Sequence, residues 1–171
     1  MGQDKALIEL GGQTLLERAV IFCRSFASEV LISSDSEDHQ IEGIKRIPDM
    51  FKDCGPISGI YSCLKVSSHD WNFVLSVDAP FVKKEFVDLL VKSATDFEAI
   101  VPVHHGKKEP LIALYSKKTI PQFEQKIKAG NFKLHFLLQD LNTRFVESEA
   151  WLEKFPGMFD NLNFPGDLNK A

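Results

Sequence analysis

The sequence has little cysteine, no secretory leader and no long apolar run. Its three cysteines, Cys23, Cys54 and Cys63, have no C-x-x-C spacing, and an odd number of them is typical of free thiols in a reducing compartment. No apolar stretch approaches the roughly 20 residues that span a bilayer, and the first five residues lack the apolar core of a secretory signal. We therefore expect a soluble cytoplasmic protein without a membrane partner.

The chain also lacks an excess of positive charge. Its 20 lysines and arginines are outnumbered by 24 aspartates and glutamates, which gives a net charge of −4 and an isoelectric point near 5.7. This balance argues against a nucleic-acid partner held by a broad basic surface. A phosphorylated small molecule, which needs only a few local donors, stays compatible with it. The 171 residues, 44% of them apolar, are enough for one globular domain with a sizeable core.

No internal repeat or low-complexity linker divides the chain, and strand patterns alternate with helix patterns. Helices are predicted at residues 14–26, 56–66, 84–94, 119–129 and 133–140, and strands at 6–10, 30–32, 44–47, 71–77, 99–103, 111–115 and 144–147. The strands at 99–103 and 111–115 lie at hairpin distance, which predicts one antiparallel pair. The alternation otherwise predicts a three-layer, Rossmann-like α/β domain with a mostly parallel sheet.

Asp78 is the strongest single candidate for a functional residue. It follows the strand at 71–77, W-N-F-V-L-S-V, which is apolar almost throughout, as expected for the buried centre of a parallel sheet. Asp78 then lies at the carboxyl edge of the sheet, where α/β folds bind ligands. A carboxylate there suits Mg²⁺ that accompanies nucleotide phosphates. The alternative is an aspartate that caps the turn at 79–80.

Three further polar features point to the same edge. Lys5 offers a mobile charge with three donors for phosphate oxygens, or is an ordinary solvated lysine. The segment 55–59 opens a helix whose free N–H groups can face an anion, or is a plain loop-to-helix junction. Asp49 and Asp53 flank this segment. Either one binds a sugar hydroxyl or coordinates a second face of the metal ion, or both only solvate the loop.

Other catalytic patterns are missing. His104 and His105 are adjacent in a turn without a Cys or His cluster, so we expect no zinc site. The sequence contains no G-x-S-x-G elbow and no Ser-His-Asp pattern. The phenylalanines follow helix and strand spacing and are expected in the core, with stacking on a base as the alternative for Phe51, Phe81 and Phe164.

Six short blocks follow one another along the chain. They are M-G-Q-D-K-A-L at 1–7 with G-Q-T-L-L-E-R at 12–18, P-D at 48–49, G-P-I-S-G-I at 55–60, V-D-A-P-F at 77–81, E-P-L-I-A-L-Y at 109–115, and N-L-N-F-P-G-D-L at 161–168. In this order they resemble the signature blocks of the molybdopterin-type nucleotidyltransferases. The G-P block and the P-L-x-A-L-Y block favour the guanylyltransferase branch over the cytidylyltransferase branch.

The resemblance implies a fold, a reaction and a metal. The fold is that of the nucleotide-diphospho-sugar transferases. In the implied reaction the terminal phosphate of molybdopterin attacks the α-phosphorus of GTP, and pyrophosphate leaves. Asp78 and Lys5 are the implied catalytic residues. Asp78 would hold Mg²⁺ and Lys5 would neutralise the GTP phosphates.

The resemblance also implies two binding regions. The implied nucleotide-binding residues are Lys5, Ser34, Asp35, Asp49, Gly55, Pro56 and Asp78. Asn161 and Asn163 would line the molybdopterin side. The implied protein partners are other molybdenum-cofactor biosynthesis proteins or molybdoenzyme chaperones.

The chain departs from the family pattern in places. Glu109 replaces the usual histidine, and Phe164 and Gly166 replace threonine and glutamate, which affects the molybdopterin pocket more than the GTP site. The family begins with a strand and a glycine-rich L-A-G-G loop that cradles phosphates, and both are absent from the front of this sequence. We therefore expect residues 1–171 to form a single nucleotidyltransferase domain that is N-terminally incomplete, with poor GTP binding and little activity.

Three alternatives stay open on the sequence alone. The first is a related transferase that uses CTP, or GTP with another phosphorylated acceptor. The second is a non-catalytic nucleotide-binding or adaptor remnant, which the missing loop makes plausible. The third is a structural α/β domain of unrelated function.

Overall fold

The computed structural model describes residues 4–162. Its α-helices are α1 (Leu15–Arg24), α2 (Pro56–Val66), α3 (Lys84–Lys92), α4 (Ile120–Lys128), α5 (Leu134–Asp140) and α6 (Glu149–Lys154). Its strands are β1 (Glu9–Leu10), β2 (Gln13–Thr14), β3 (Leu31–Ser33), β4 (Lys45–Ile47), β5 (Trp71–Leu75), β6 (Ala99–His104), β7 (Lys107–Lys108), β8 (Ile112–Ser116) and β9 (Thr143–Glu147). No helix in this range is long and apolar enough to cross a membrane.

The main sheet is built around β6. On one side β6 pairs with β9 in parallel, and on the other side it pairs with β8 and the short β7 in antiparallel fashion. Since β8 is also antiparallel to β5, the strands β5, β6 and β9 all run in one direction. Only the β6–β9 pairing of this sheet is parallel within residues 4–162, because β7 and β8 of the opposed hairpin, which the sequence predicted, run against the other three strands.

Helices cover both faces of this sheet, which gives three layers. Alternate residues of β6 and β8 point to opposite faces. One face of these strands contributes Ala99, Val101, Ala113 and Tyr115 to a core shared with α2, α4 and α5. The other face contributes Ile100, Ile112 and Leu114 to a core shared with α3 and the segment at 158–159. The predicted α/β class is confirmed.

A second, smaller sheet consists of β3 and β4, which pair in parallel. Within residues 4–162 neither β3 nor β5 has a second strand partner, so each leaves one edge unpaired. A cavity of about 820 Å³ separates these two edges, and we call it the slot. Its walls come from α1, α2 and α3, and they include Leu16, Val20, Ile60, Leu64, Val87 and Val91.

Local sequence signals set the ends of several helices. Thr14 begins α1 with a capping box, in which its hydroxyl accepts the Glu17 N–H at 3.1 Å and its own N–H donates to the Glu17 carboxylate at 2.7 Å. Pro56 occupies the first turn of α2, where its missing N–H costs nothing. Gly130 follows the end of α4 with φ of 70°, as expected for a left-handed C′ residue.

The structure corrects three of the sequence-based expectations. Residues Lys5–Leu7 form a short 3₁₀ helix rather than part of a strand at 6–10, because the Asp4 side chain caps it by accepting the Ala6 N–H. Strand β5 is half-buried along its whole length rather than buried, because one of its edges opens on the slot. Helix α6 was not predicted. The sequence also predicts a last short helix after the tail at 161–168, and its position lies outside the described residues.

Candidate active site at the carboxyl edge

The carboxyl ends of β3 and β5 meet at one end of the slot, which we call the mouth. Polar groups and glycines concentrate there, in contrast to the apolar walls deeper in. The residues that line the mouth are Ser33, Ser34, Asp35, Asp49, Gly55, Gly59, Ser76 and Val77. Four of the predicted nucleotide-binding positions, Ser34, Asp35, Asp49 and Gly55, thus share one concave surface, and Pro56 lines it beside Gly55.

Asp78 lies just beyond the end of β5, beside the mouth. One of its carboxylate oxygens accepts a hydrogen bond from the Ser76 hydroxyl at 2.6 Å, and the other lies 3.8 Å from the Lys5 ammonium nitrogen. The Asp78 side chain is 18% exposed and that of Lys5 is 44% exposed. The two predicted catalytic residues are therefore brought together, although 73 positions separate them in the sequence.

The described end of the chain passes Asp78 as well. The Leu162 N–H donates to the Asp78 carbonyl at 2.8 Å, and Leu162 is buried against Ile8 and Leu15. This contact fixes the neighbouring Asn161, which is exposed, on the same side as the mouth. Asn163 lies outside the described residues.

Asp49 is held against β3 and α2. It accepts a hydrogen bond from Ser33, and partial burial raises the pKa of Asp49 above its ordinary value of 3.8, with the Asp35 charge adding to the rise. A methyl group on Gly59 would lie 2.3 Å from the Ser33 hydroxyl oxygen and 3.3 Å from an Asp49 carboxylate oxygen. Glycine at position 59 is therefore what allows α2 to approach this pair so closely.

Asp35 has a different environment although it is close to Asp49. One of its oxygens accepts from the Lys52 ammonium at 2.6 Å and from the Asp49 N–H at 3.0 Å. The Lys52 hydrogen bond, followed by the Asp49 backbone bond, lowers the pKa of Asp35. Asp35 thus carries its negative charge more readily than Asp49, and the two carboxylates have distinct characters.

Helix α2 points its N-terminus at the mouth. Gly55 is the N-cap with φ of 68°, a conformation that side-chain-bearing residues seldom adopt. Two serines of the helix anchor the loop before it, since the Ser58 hydroxyl accepts the Phe51 N–H and the Ser62 hydroxyl accepts the Met50 N–H. Pro56 has no N–H and the Ser58 N–H donates to the Gly55 carbonyl at 3.1 Å, so the donors held in place for an anion are the N–H groups of Gly55 and Ile57.

The rings of Phe51 and Phe81 pack against other side chains of the protein. The Phe51 ring packs on Tyr61, with 5.5 Å between ring centroids, and Phe81 packs on the small core around Ile8 and Leu15. Core packing, the default expectation, is confirmed for both. Phe164 lies outside the described residues.

Several residues of the site were missed on the sequence. Ser76 could have been found from its spacing, because a serine two residues before an aspartate can bond it across a turn, and the Ala79 N–H closes such a turn on the Ser76 carbonyl at 3.1 Å. His39 bridges Asp4 and Ser34, at 2.8 Å and 2.6 Å, and no local pattern pointed to it.

The two adjacent histidines have structural environments. His104 ends β6, and its Nε2 lies 2.9 Å from the Glu109 carboxylate, which is also 2.7 Å from the Lys107 ammonium. The His104 ring stacks on Phe159, with 4.8 Å between centroids. His105 adopts a positive φ of 48° in the turn between β6 and β7. Glu109, which replaces the histidine of the family pattern, is therefore tied into this cluster at the carboxyl end of β6.

A divalent metal fits the mouth only together with a substrate. Among residues 4–162 no three His, Cys, Asp or Glu side chains lie close enough to hold a metal ion by themselves. Asp78 nevertheless offers oxygen lone pairs beyond its bond to Ser76, next to a mouth with room for phosphates. One carboxylate combined with substrate phosphates and water is a common Mg²⁺ environment.

Fold and site together define a class. A three-layer α/β fold whose carboxyl edge combines a carboxylate, a lysine and a helix N-terminus around one concavity is the arrangement of a nucleotidyltransferase. The family comparison is more specific: the model of the MobA-like NTP transferase domain matches residues 1–145. The chain belongs to that family, and nucleotidyltransferases of this kind generally use a divalent metal.

Individual relatives agree with the family. A protein of Halalkalibacterium halodurans named probable molybdenum cofactor guanylyltransferase is 31% identical, over 99% of this chain and 89% of its own length. One of the same name from Pelotomaculum thermopropionicum is 30% identical, over 100% and 85%. The crystal structure of molybdopterin-guanine dinucleotide biosynthesis protein A from Archaeoglobus fulgidus superposes with a TM-score of 0.82 at 28% identity, covering 99% of this chain and 89% of that one.

Proposed function

We propose that this protein transfers GMP from GTP to molybdopterin, forming molybdopterin guanine dinucleotide and releasing pyrophosphate. The names of its relatives give the substrates. The observation that carries the proposal is the Lys5–Asp78 pair at 3.8 Å, beside a mouth that Asp49 and Gly55 also line. Such a site offers phosphates a cation, a metal ligand and backbone donors at once.

The proposed reaction needs alignment and charge neutralisation more than covalent help from the protein. An oxygen of the terminal phosphate of molybdopterin forms a bond to the α-phosphorus of GTP. The bond from that phosphorus to the bridging oxygen of the β-phosphate breaks, and its electron pair leaves with pyrophosphate. Negative charge gathers on the phosphate oxygens throughout, so fixed positive groups at the mouth stabilise the transition state.

Lys5 and Asp78 have complementary roles in this proposal. The Lys5 ammonium binds phosphate oxygens as a point charge. The Asp78 carboxylate, which accepts from Ser76, would hold Mg²⁺. A bound metal ion would supply charge neutralisation for the phosphoryl oxygens. Without a phosphate ligand Lys5 and Asp78 face each other, which keeps both side chains near their working positions.

The nucleoside side of the proposed site lies between β3 and α2. At the N-terminus of α2 the backbone N–H groups of Gly55 and Ile57, on either side of Pro56, supply donors, and Asp49 accepts hydrogen bonds from the nucleotide. Ser34 and Asp35 border the same surface. The acceptor side is proposed at Asn161 and Asn163, because the N–H of Leu162, the residue between them in sequence, donates to the Asp78 carbonyl. The same proposal includes protein partners. The protein would exchange molybdopterin with other cofactor-biosynthesis proteins or with molybdoenzyme chaperones.

We infer further that full activity depends on a strand in the slot. The β3 and β5 edges expose backbone N–H and C=O groups that a parallel strand would pair, and the apolar walls suit such a strand on both faces. The chain at Asp4 lies across the mouth, so a preceding strand would end where the described residues begin. A chain with a strand in the slot is therefore expected to bind GTP more tightly than the same chain with the slot open.

Two measurements test these proposals. Thermal unfolding with GTP and Mg²⁺ should shift upward by several degrees, and CTP should shift it less, since a specific ligand stabilises the folded state by mass action. Equal shifts, or a larger one with CTP, would point to the cytidylyl branch. No Mg²⁺-dependent shift with either nucleotide, even with the slot filled, would support the adaptor alternative and overturn the proposed reaction.

The slot is tested by extension. Five apolar residues and a short linker placed ahead of Met1 should raise guanylyl transfer and protect the amides of Leu31–Ser33 and Trp71–Leu75 from hydrogen exchange. The matched control carries a proline at the centre of the same extension, because proline breaks the ladder of a central strand. Equal rates for the extended, control and unextended chains would refute this inference.

A further inference from the structure

His39 connects two segments that approach the mouth from opposite sides. Its Nε2 lies 2.8 Å from the Asp4 carboxylate, and its Nδ1 lies 2.6 Å from the Ser34 hydroxyl. The His39 side chain is 15% exposed, whereas Asp4 is 45% exposed. The ring thus bridges partners 35 residues before and five residues before it in the chain.

The Asp4 end of this bridge leads directly to Lys5. One Asp4 oxygen accepts from His39, while the other accepts the Ala6 N–H at 3.0 Å and begins the 3₁₀ helix at Lys5–Leu7. Ala6 is buried in a small core with Ile32, beneath this turn. Fixing the Asp4 carboxylate therefore fixes the backbone from which the Lys5 side chain extends towards Asp78.

The Ser34 end is equally tied to the other side of the mouth. The Ser34 hydroxyl accepts the Ser36 N–H at 3.0 Å, and the Ser34 carbonyl accepts from the Arg46 guanidinium at 2.9 Å. These bonds hold the turn after β3, which contains Asp35. The hydroxyl is occupied by its bonds to Ser36 and His39, so it serves the structure of the loop.

We propose that His39 is a positioning residue for guanylyl transfer, holding the Lys5 turn and the Ser34–Asp35 loop at a fixed separation across the mouth. This inference rests on the proposed function. A triphosphate at Lys5 and a nucleoside near Ser34 belong to one molecule, so the two groups can bind it together only at one spacing. A rigid bridge sets that spacing before the nucleotide arrives, which lowers the entropic cost of binding.

Substitutions can separate the two halves of the bridge. Glutamine at position 39 places its amide near the location of Nε2 and can still donate to Asp4, while asparagine reaches only the location of Nδ1 and Ser34. His39→Ala removes both bonds. The matched control is His69→Ala, because His69 also bonds a serine, Ser28, at 3.0 Å, but at the amino end of β5.

The first readout is independent of activity. In the full chain, hydrogen exchange at Leu7 and Ile8, whose N–H groups bond Asp4 and Lys5, should become faster in His39→Ala. It should return towards the unmodified rate in His39→Gln but not in His39→Asn. The His69→Ala control should leave these amides unchanged. Unaltered exchange in His39→Ala would mean that the bridge does not hold the Lys5 turn, and the proposal would be overturned.

The second readout is the GTP affinity and the rate of guanylyl transfer. Both are measured in the chain that carries the apolar extension ahead of Met1, which we call the slot-filled chain. His39→Ala should raise the GTP dissociation constant or KM by roughly 10- to 100-fold, the cost of a misplaced binding group, with a smaller effect on kcat. The same change in a Lys5→Ala background should have no further effect if His39 acts through Lys5. Faster exchange with unchanged affinity would overturn the positioning role. Absence of GTP binding by the slot-filled chain without any substitution at position 39 would overturn the proposed function itself. The hydrogen-exchange result would still report on the His39 bridge.

Discussion

At the scale of single residues, Asp78 combines an oriented carboxylate with an open coordination side. Its bond from Ser76 fixes the carboxylate plane, and Lys5 is near enough to share a phosphate with any metal that Asp78 holds. Neither feature depends on burial, because both side chains keep contact with solvent. The chemistry of the site is therefore carried by a few directed contacts rather than by a sealed pocket.

Asp78→Asn tests the metal role. The amide can still accept from Ser76 but is a poor metal ligand, so we expect guanylyl transfer to fall by roughly 100-fold or more, measured as pyrophosphate release against an otherwise identical chain. Asp88→Asn is the control, because Asp88 pairs with Lys84 on the surface of α3. An Asp78→Asn rate within a factor of two of the unmodified chain would remove Asp78 from the mechanism.

Asp49→Asn tests the cost of a partly buried charge. The pKa of Asp49 is raised in the folded state, so its charged form is disfavoured by folding and the stability contribution of Asp49 falls as pH rises through that pKa. At pH 7 the amide removes this penalty, and Asp49→Asn should be more stable than the unmodified chain. The gain should shrink as the pH falls towards 3.8, the ordinary value.

Urea unfolding at a series of pH values measures this difference. Asp53→Asn, the same chemical change in the same loop, is the matched control. A stability gain for Asp49→Asn that stays constant with pH would contradict the assignment. GTP binding by Asp49→Asn should nevertheless weaken, since the position is proposed to contact the nucleotide.

At the scale of elements, each wall of the slot depends on a helix that begins correctly. Helix α1 has the clearest start, since Thr14 and Glu17 satisfy each other's backbone groups. Its buried residues Leu16 and Val20 then pack on Ile32 of β3. A local capping signal thereby supports a wall that faces the active-site mouth.

Thr14→Ala should destabilise the fold by about 1 kcal/mol, the usual loss for an N-cap hydroxyl. Chemical denaturation measures it, with Thr95→Ala, an exposed threonine after α3, as the control expected within about 0.5 kcal/mol of the unmodified chain. Equal stability of the two variants would show that the capping box contributes nothing measurable.

At the scale of the whole molecule, the sheet divides the interior into two cores of different composition. The α2, α4 and α5 side is closed, with Phe123 fully buried against Tyr115 at 5.5 Å between ring centroids. The opposite side contains two aromatic contacts between Phe86 of α3 and the segment at 151–159, and one contact within that segment. The slot between β3 and β5 interrupts the packed interior. The free energy of folding is therefore expected to come mainly from the closed side formed by α2, α4 and α5.

Phe123→Ala should therefore cost about 3–5 kcal/mol, as large-to-small changes in a closed core do. That is a large share of the roughly 5–15 kcal/mol typical of a domain, so the midpoint of urea unfolding should fall sharply. Phe145→Ala is the control, since Phe145 is 38% exposed and its main partner is the Lys108 ammonium at 4.3 Å. Similar losses in both variants would contradict this division of the interior.

Much of the fold could be predicted because its signals are local. The periodicity of apolar residues gave the alternation of strands and helices, and hairpin spacing gave the one opposed strand. Where a competing local bond existed, as with Asp4 capping the turn at Lys5–Leu7, the extended reading of 6–10 was wrong. Burial of β5 was also misjudged, because an apolar strand is buried only if a neighbour covers its edge.

The sequence by itself determined the class of protein, the apolar strand that ends at Asp78 and the turn that opens α2, because spacing and residue type along one segment suffice for these. Only the tertiary structure decided that Lys5 meets Asp78, that His39 joins Asp4 to Ser34 and that β3 and β5 stand apart across a slot. The Lys5–Asp78 and Asp4–His39 contacts join positions 73 and 35 residues apart, and the slot depends on which strand edges meet. They follow from how packed layers place distant segments, which no local pattern records.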